Sequence, residues 1–364
     1  MRFSAVSFCP EEKVPVCREN EGELQMPSKY SMGVLGVIRS HKQLATKISN
    51  QILTRVDPPV EIVARLRMNG TSAEVVRELD MPALRVTPKE AAVKDGIILH
   101  LHGGAFLSGG ILQCRALISP ICAAARVPAM TFCYRLAPKY QYPAQVEDAL
   151  RAYDYLRSQG YEPRQIALAG ESAGGNLALA LTKKLLERGE EPPACLALLS
   201  PWTDLAQTGE SYRTLQDVDP TLNARELLAW ACAYCGSRKR LLSPEISPVY
   251  GDFAGFPPTL IHCGTHEILL SDSERLESAM KRDGVDVRLV RWEGMCHVFQ
   301  AFGFEESRLS NRQIGRFLAG CLTGDAAPSN GSKPPFAAVS SYKQGPGAKI
   351  GPKIEELQYF SQRD

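Results

Sequence analysis

Ser172 stands in Gly170-Glu171-Ser172-Ala173-Gly174, a G-x-S-x-G pentapeptide. The pattern suits a turn so tight that only small residues fit two positions to either side, which strains the serine backbone and pushes Oγ into the open. A serine hydroxyl is a weak nucleophile and needs a base to take its proton. Histidines occur at 41, 100, 102, 262, 266 and 297. His41 falls in an N-terminal helical stretch, His100 and His102 in a glycine-rich segment, and His262 inside an apolar run. His266 and His297 remain at loop positions, and the chain order serine, acid, histidine selects His297. A carboxylate must orient the imidazole and stabilise its cation. Glu267, Asp272 and Glu274 follow the apolar run 259–263. Glu267 is favoured because it sits on the first loop turn beside the strand end. Asp272 is the second candidate; it lies one turn further, where it could instead cap or orient a helix over 273–282.

Such groups together would perform acyl transfer, which places negative charge on the former carbonyl oxygen. Preorganised backbone N–H groups hold such a charge at least cost. His102-Gly103-Gly104-Ala105-Phe106 follows the run 97–101, and glycines let main chain approach a substrate. The expected oxyanion donors are the N–H groups of Gly103, Gly104 and Ala173, with His102 bracing the loop.

Such residues, far apart in the chain, need a scaffold. Apolar runs at 97–101, 129–134, 166–169, 196–199, 259–263 and 287–292 alternate with helical stretches that include 145–159 and 176–188. Runs apolar on both faces and joined by helices imply a parallel sheet covered on two sides, wound by right-handed crossovers. Two short strands are expected earlier, near 75–79 and 84–87, separated by Pro82. Residues 1–60 are expected to supply N-terminal cap helices, with helical spacing from Tyr30 to Arg55. The core spans 61–323. Its stretch 203–250 has no strand-like run and a helix near 223–235, so it reads as a cap insertion above the carboxyl ends of the strands, where open α/β sheets bind ligands. Residues 324–364, rich in Pro, Gly, Ser and Lys, read as a disordered tail.

A chain of 364 residues can bury one large core with smaller attachments. Its net charge of +2 gives no global attraction for nucleic acid or an anionic membrane. No apolar stretch is long enough to span a bilayer, and the N-terminus lacks a signal-peptide pattern. Eleven cysteines, several within apolar runs, read as buried free thiols. Cys232 and Cys235 form a lone C-x-x-C within a helical stretch, so no metal site is assigned. Reduced thiols fit a cytoplasmic location, and the sequons at Asn69 and Asn330 are then chance matches.

The chain resembles the bacterial hormone-sensitive-lipase-like esterases. The resemblance rests on His102-Gly103-Gly104-Ala105-Phe106, Tyr134-Arg135-Leu136-Ala137-Pro138 and Tyr142-Pro143-Ala144-Gln145. It continues through Gly170-Glu171-Ser172-Ala173-Gly174-Gly175-Asn176, Ser200-Pro201-Trp202-Thr203-Asp204-Leu205 and Trp292-Glu293-Gly294-Met295-Cys296-His297, across about residues 82–318. It implies an α/β-hydrolase fold: a mostly parallel central sheet with helices on both faces and a helical cap. It also implies hydrolysis of short- to medium-chain esters without a cofactor, and frequent homodimers. The small-molecule substrate is an ester or a lactone; the same machinery serves lactonases and deacetylases, and a non-catalytic hormone receptor on this fold would need a damaged triad. Relatives often carry Asp-Pro-Leu at the acid position, where this chain has Glu267-Ile268-Leu269, so the acid is where the chain departs most from the family pattern.

Overall fold

A computed structural model describes residues 27–40, 58–93 and 95–324. Eight strands form one sheet: β1 (Thr71–Val75), β2 (Ala83–Pro88), β3 (Ile97–Leu101), β4 (Ala129–Phe132), β5 (Ile166–Glu171), β6 (Cys195–Leu199), β7 (Thr259–Gly264) and β8 (Val287–Trp292). Their spatial order is β1-β2-β4-β3-β5-β6-β7-β8. β1 and β2 run antiparallel to their neighbours, and every pair from β4 to β8 is parallel.

The two sheet faces differ in side-chain size. Ile97, Leu99, Leu101, Leu168, Leu196 and Leu198 point to one face. There they meet helices α4 (Ala144–Ser158), α5 (Ala173–Glu187) and α8 (Leu270–Arg282) through residues such as Val146, Leu177, Leu181 and Leu276. Ala167, Ala169 and Ala197 point to the other, under α3 (Ile111–Ala125) and α9 (Glu305–Thr323). The period-2 alternation of a strand assigns the two sets. α3 and α9 approach closely where Gly315 faces the backbone of Ala124 and Ala125; a Cβ there would lie 2.6 Å from a main-chain nitrogen. β8, at the sheet edge, exposes Arg288 and Arg291 in alternation with buried Val287, Leu289 and Trp292.

The strand expected near 75–79 lies earlier, at Thr71–Val75. Val75 pairs with Leu84, so the chain must turn between them, and Arg77–Asp80 falls in that reversal. Of the helical stretch expected from Tyr30 to Arg55, α1 (Lys29–Ser40) is described, followed after residue 57 by α2 (Val60–Arg65). The expected remainder over 41–57, and the tail past Gly324, lie outside the described residues.

Between β6 and β7 the chain makes no strand; it forms α6 (Ser211–Thr214) and α7 (Ala224–Cys235), the latter capped by the Asn223 side chain, which accepts from Arg225 and Glu226 N–H. This insertion docks on segments that follow the carboxyl ends of β3, β5 and β7. The Tyr234 ring stacks on Phe106 at 3.8 Å, Asn176 Nδ2 donates to Ile246 O, and Ile268 N–H donates to the Asp219 carboxylate. α1 packs Leu35 against Trp292, Met295 and Phe299 at the end of β8. The nine described cysteines are all free.

Candidate active site

Ser172 occupies the single residue between the end of β5 and the start of α5, at φ 55° and ψ −121°. A non-glycine residue there stores about 1–3 kcal/mol of strain, held only because the surroundings over-determine it. The glycines of the pentapeptide have a steric reason. A Cβ on Gly170 would collide with the Gly174 carbonyl, and one on Gly174 with the Leu101 carbonyl. Ser172 is pinned on both sides by the segment after β6: its N–H donates to Leu199 O at 2.9 Å, and its carbonyl accepts from Trp202 N–H at 3.0 Å. The hydroxyl therefore sits at the positive end of a 15-residue helix.

His297 lies in the loop after β8. Its Nδ1 donates to Glu267 Oε2 at 2.7 Å. The other carboxylate oxygen, Oε1, accepts from Ser200 Oγ–H at 2.9 Å and from Gly264 N–H at 2.8 Å, and Glu267 is fully buried. Because Nδ1 carries the proton shared with the carboxylate, the neutral ring presents its lone pair on Nε2. The loops after β7 and β8 are interlocked. Thr265 N–H bonds Trp292 O, His266 N–H bonds Met295 O, and Gly294 N–H bonds Thr265 Oγ1. His266, the other loop histidine, thus serves through its backbone.

Ser200 joins the two halves of the site. Its hydroxyl donates to Glu267 while accepting from Val298 N–H at 3.2 Å, and it sits in the same short segment that pins Ser172. Ser172 and the His297 loop are thereby anchored to one stretch, Leu199–Trp202. No hydrogen bond joins Ser172 Oγ to the His297 ring, a looseness common before substrate binds.

Asp272 is also fully buried but faces elsewhere. Its Oδ2 accepts from the N–H groups of Thr203 and Asp204 at 2.8 Å each and from Tyr212 O–H at 3.2 Å. Burial, and then the neighbouring Asp204 charge, push its carboxyl well above the ordinary range. It ties the loop after β6 to α8.

The oxyanion loop corrects one expected donor. Gly103 N–H donates to Glu171 Oε1 at 2.6 Å. Glu171, the last residue of β5, also holds His100 Nε2 at 2.8 Å. An N–H already bonded to a buried carboxylate has no capacity left for a substrate oxygen. Among the described residues, the N–H groups of Gly104, Ala105 and Ala173 meet no acceptor. Gly104 adopts φ 107°, and a side chain there would overlap the Ser108 carbonyl. His102 braces the loop: its Nδ1 donates to Gly103 O, its carbonyl accepts from Tyr134 O–H at 2.8 Å, and its ring stacks on Tyr134 at 3.9 Å.

Pattern reading passed over Ser200, Glu171 and Ala105, which lie at the candidate site. Each had a signal: Ser200 directly follows an apolar run, Glu171 is the variable residue before the nucleophile, and Ala105 directly follows the two glycines.

A strand–elbow–helix serine, a carboxylate-bound histidine from the far end of a parallel sheet and a loop of free N–H groups define a hydrolase of the α/β type. A family described as having the alpha/beta hydrolase fold matches residues 98–301. Esterase LipU of Mycobacterium tuberculosis is 35% identical over 268 residues, covering 70% of this chain and 86% of that protein. An acetyl-hydrolase of Streptomyces hygroscopicus is 37% identical over 231 residues, 62% of this chain and 77% of that one. The crystal structure of an esterase from the bacterial hormone-sensitive lipase family superposes with a TM-score of 0.71 at 32% identity, over 82% of this chain and 100% of the other. The chain belongs to the alpha/beta hydrolase fold family, on its hormone-sensitive-lipase-like branch, and is an enzyme of the carboxylic ester hydrolase class. Among the described residues no helix is long and apolar enough to cross a membrane.

Proposed function

We propose that this enzyme hydrolyses short- to medium-chain carboxylic esters through Ser172, His297 and Glu267. His297 Nε2 takes the proton of Ser172 Oγ as the oxygen attacks the ester carbonyl. The tetrahedral oxyanion is held by the N–H groups of Gly104, Ala105 and Ala173. The C–O bond to the alcohol breaks, and the alcohol leaves with the proton carried by His297. Water, deprotonated by His297, then attacks the acyl-serine, and collapse of the second intermediate releases the acid and restores the serine hydroxyl. Glu267 keeps the imidazole in the tautomer that presents Nε2 and stabilises the cation formed in each half-reaction.

The observation that carries this reading is the 2.7 Å bond from His297 to a buried carboxylate, beside a serine held at positive φ. The insertion 203–250 is the cap in this reading. Its Tyr234, stacked on Phe106 next to Ala105, fills space beside the oxyanion loop and supports preference for the shorter acyl chains. The free cysteines support a reducing, cytoplasmic setting.

Ser172→Ala is expected to lower kcat on p-nitrophenyl butyrate by about 10⁴–10⁶-fold with an unchanged melting temperature. Turnover at the wild-type rate would remove Ser172 from the mechanism. A series of acyl-chain lengths, with lactones added, measures the substrate range.

A further inference from the structure

Three side chains unused by the reaction meet behind the oxyanion loop. They are His102 just after β3, Cys114 in the first turns of α3, and Cys133 just after β4. One ligand-capable atom from each lies within 4.8 Å of the other two. His102 and Cys114 are buried, while Cys133 is half-buried and lines a surface cavity of about 760 Å³ with Met81, Tyr134 and Glu147. From this cluster we infer a binding site for a soft divalent cation, of the Zn²⁺ or Cd²⁺ kind, whose occupancy slows hydrolysis.

The donor set fits such an ion. Two thiols and one imidazole are the ligands of choice for zinc-like metals and poor ones for magnesium or calcium. His102 Nδ1 donates to the Gly103 carbonyl at 2.6 Å, so the lone pair of the neutral ring lies on Nε2. Metal-ligating histidines almost always carry this second bond, which fixes tautomer and ring plane. In a tetrahedral zinc site the ligand atoms sit about 3.5–4 Å apart, so the cluster tightens by about 1 Å at most. Cys133, at a strand end and lining the cavity, and His102, next to the glycine-rich loop, share that movement, and water from the cavity completes the fourth position. Binding exchanges two thiol protons for the cation, with the protons released to solvent and no change in oxidation state.

The coupling to catalysis follows from His102. Its ring holds the Gly103 carbonyl and lies flat on Tyr134, directly before Gly104 and Ala105. Drawing it toward the thiols displaces the loop that presents the oxyanion donors, so the inhibitory half of the inference rests on the ester-hydrolysis reading while the binding half does not.

The test titrates the intact protein with Cd²⁺, following the ultraviolet thiolate-to-cadmium band and, in parallel, p-nitrophenyl butyrate hydrolysis. The wild type is expected to show a saturable one-equivalent band and at least a tenfold fall in kcat, both reversed by chelator. Cys133→Ser and Cys114→Ser are expected to hydrolyse the ester without added metal but to lose both the band and the inhibition. A wild type without the band, or the same band in both variants, overturns the site. A band lost in the variants with no fall in wild-type kcat overturns the coupling. If the metal-free wild type hydrolyses no ester, the function reading fails on its own, and the band still decides the site.

Discussion

Glu267 and Asp272 are two fully buried carboxylates five residues apart, at the same end of the sheet, with different duties. Glu267 spends one oxygen on Ser200 and Gly264 and offers the other to His297. Asp272 directs its hydrogen bonds to Thr203, Asp204 and Tyr212, and through them anchors the start of the cap-like insertion. Nearby Asp219 performs a similar service from within the insertion, accepting from Thr221, Leu222 and Ile268 N–H. Burial and a hydrogen-bonded carboxyl group are common to all three, so neither marks a catalytic acid. The distinction lies in the partner: a loop histidine for Glu267, against donors that only need a fixed acceptor for the other two.

The comparison is most sharply tested by paired substitutions. Glu267→Gln is expected to lower kcat by about 10³–10⁴-fold with little change in KM, because the amide no longer selects the tautomer or stabilises the cation. Asp272→Asn should leave kcat near wild type and instead cost about 1–3 kcal/mol of stability, measured by urea unfolding, as the amide NH2 takes the buried place of Oδ1, which meets no hydrogen-bond partner. If the two variants exchange these effects, the assignment of the acid reverses.

A smaller effect is expected at Glu171, which resembles Asp272 in holding backbone and side chain but does so next to the reaction. Glu171→Gln retains one acceptor oxygen for Gly103 N–H and His100 together. It should lower kcat about tenfold, less than the loss of an oxyanion donor itself. A change confined to the melting temperature would place Glu171 with the scaffold.

An effect on stability, not on turnover at neutral pH, is expected at His262, inside β7. His262 is buried, its Nδ1 accepting from Trp292 Nε1 and meeting Ser310 Oγ, and burial lowers its pKa from 6.5 to about 3. The unfolded chain therefore binds a proton between these values that the folded protein refuses. Stability falls as pH drops below 6.5, by about 1.4 kcal/mol per pH unit until about pH 3. His262→Asn should flatten that part of the stability profile without removing activity at neutral pH; an unchanged slope would assign the acid sensitivity to other groups.

Much of this was legible in one dimension. The runs over β3–β7 were readable because strands buried on both faces must be apolar throughout, and the elbow because strand and helix backbones touch where a Cβ would stand. The helix of the insertion, expected near 223–235, is found at Ala224–Cys235. The first strand was misplaced by four residues because its weak alternation, Thr71 to Val75, carries less signal than the apolar residues that lead into the turn.

What residue types and spacing determined by themselves was the chemistry: a serine on a tight turn, a histidine after the last strand and a short choice of carboxylates. What only tertiary structure decided was which donors and acceptors meet. Gly103, Gly104 and Ala105 are neighbours in one loop, yet only contact with Glu171, 68 residues away, shows that the first is occupied. Likewise Ser200 has a role only because Glu267 and Val298 converge on its hydroxyl. Hydrogen bonds act over about 3 Å in space, and spacing along a chain constrains that distance only within a helix turn or across a strand pair.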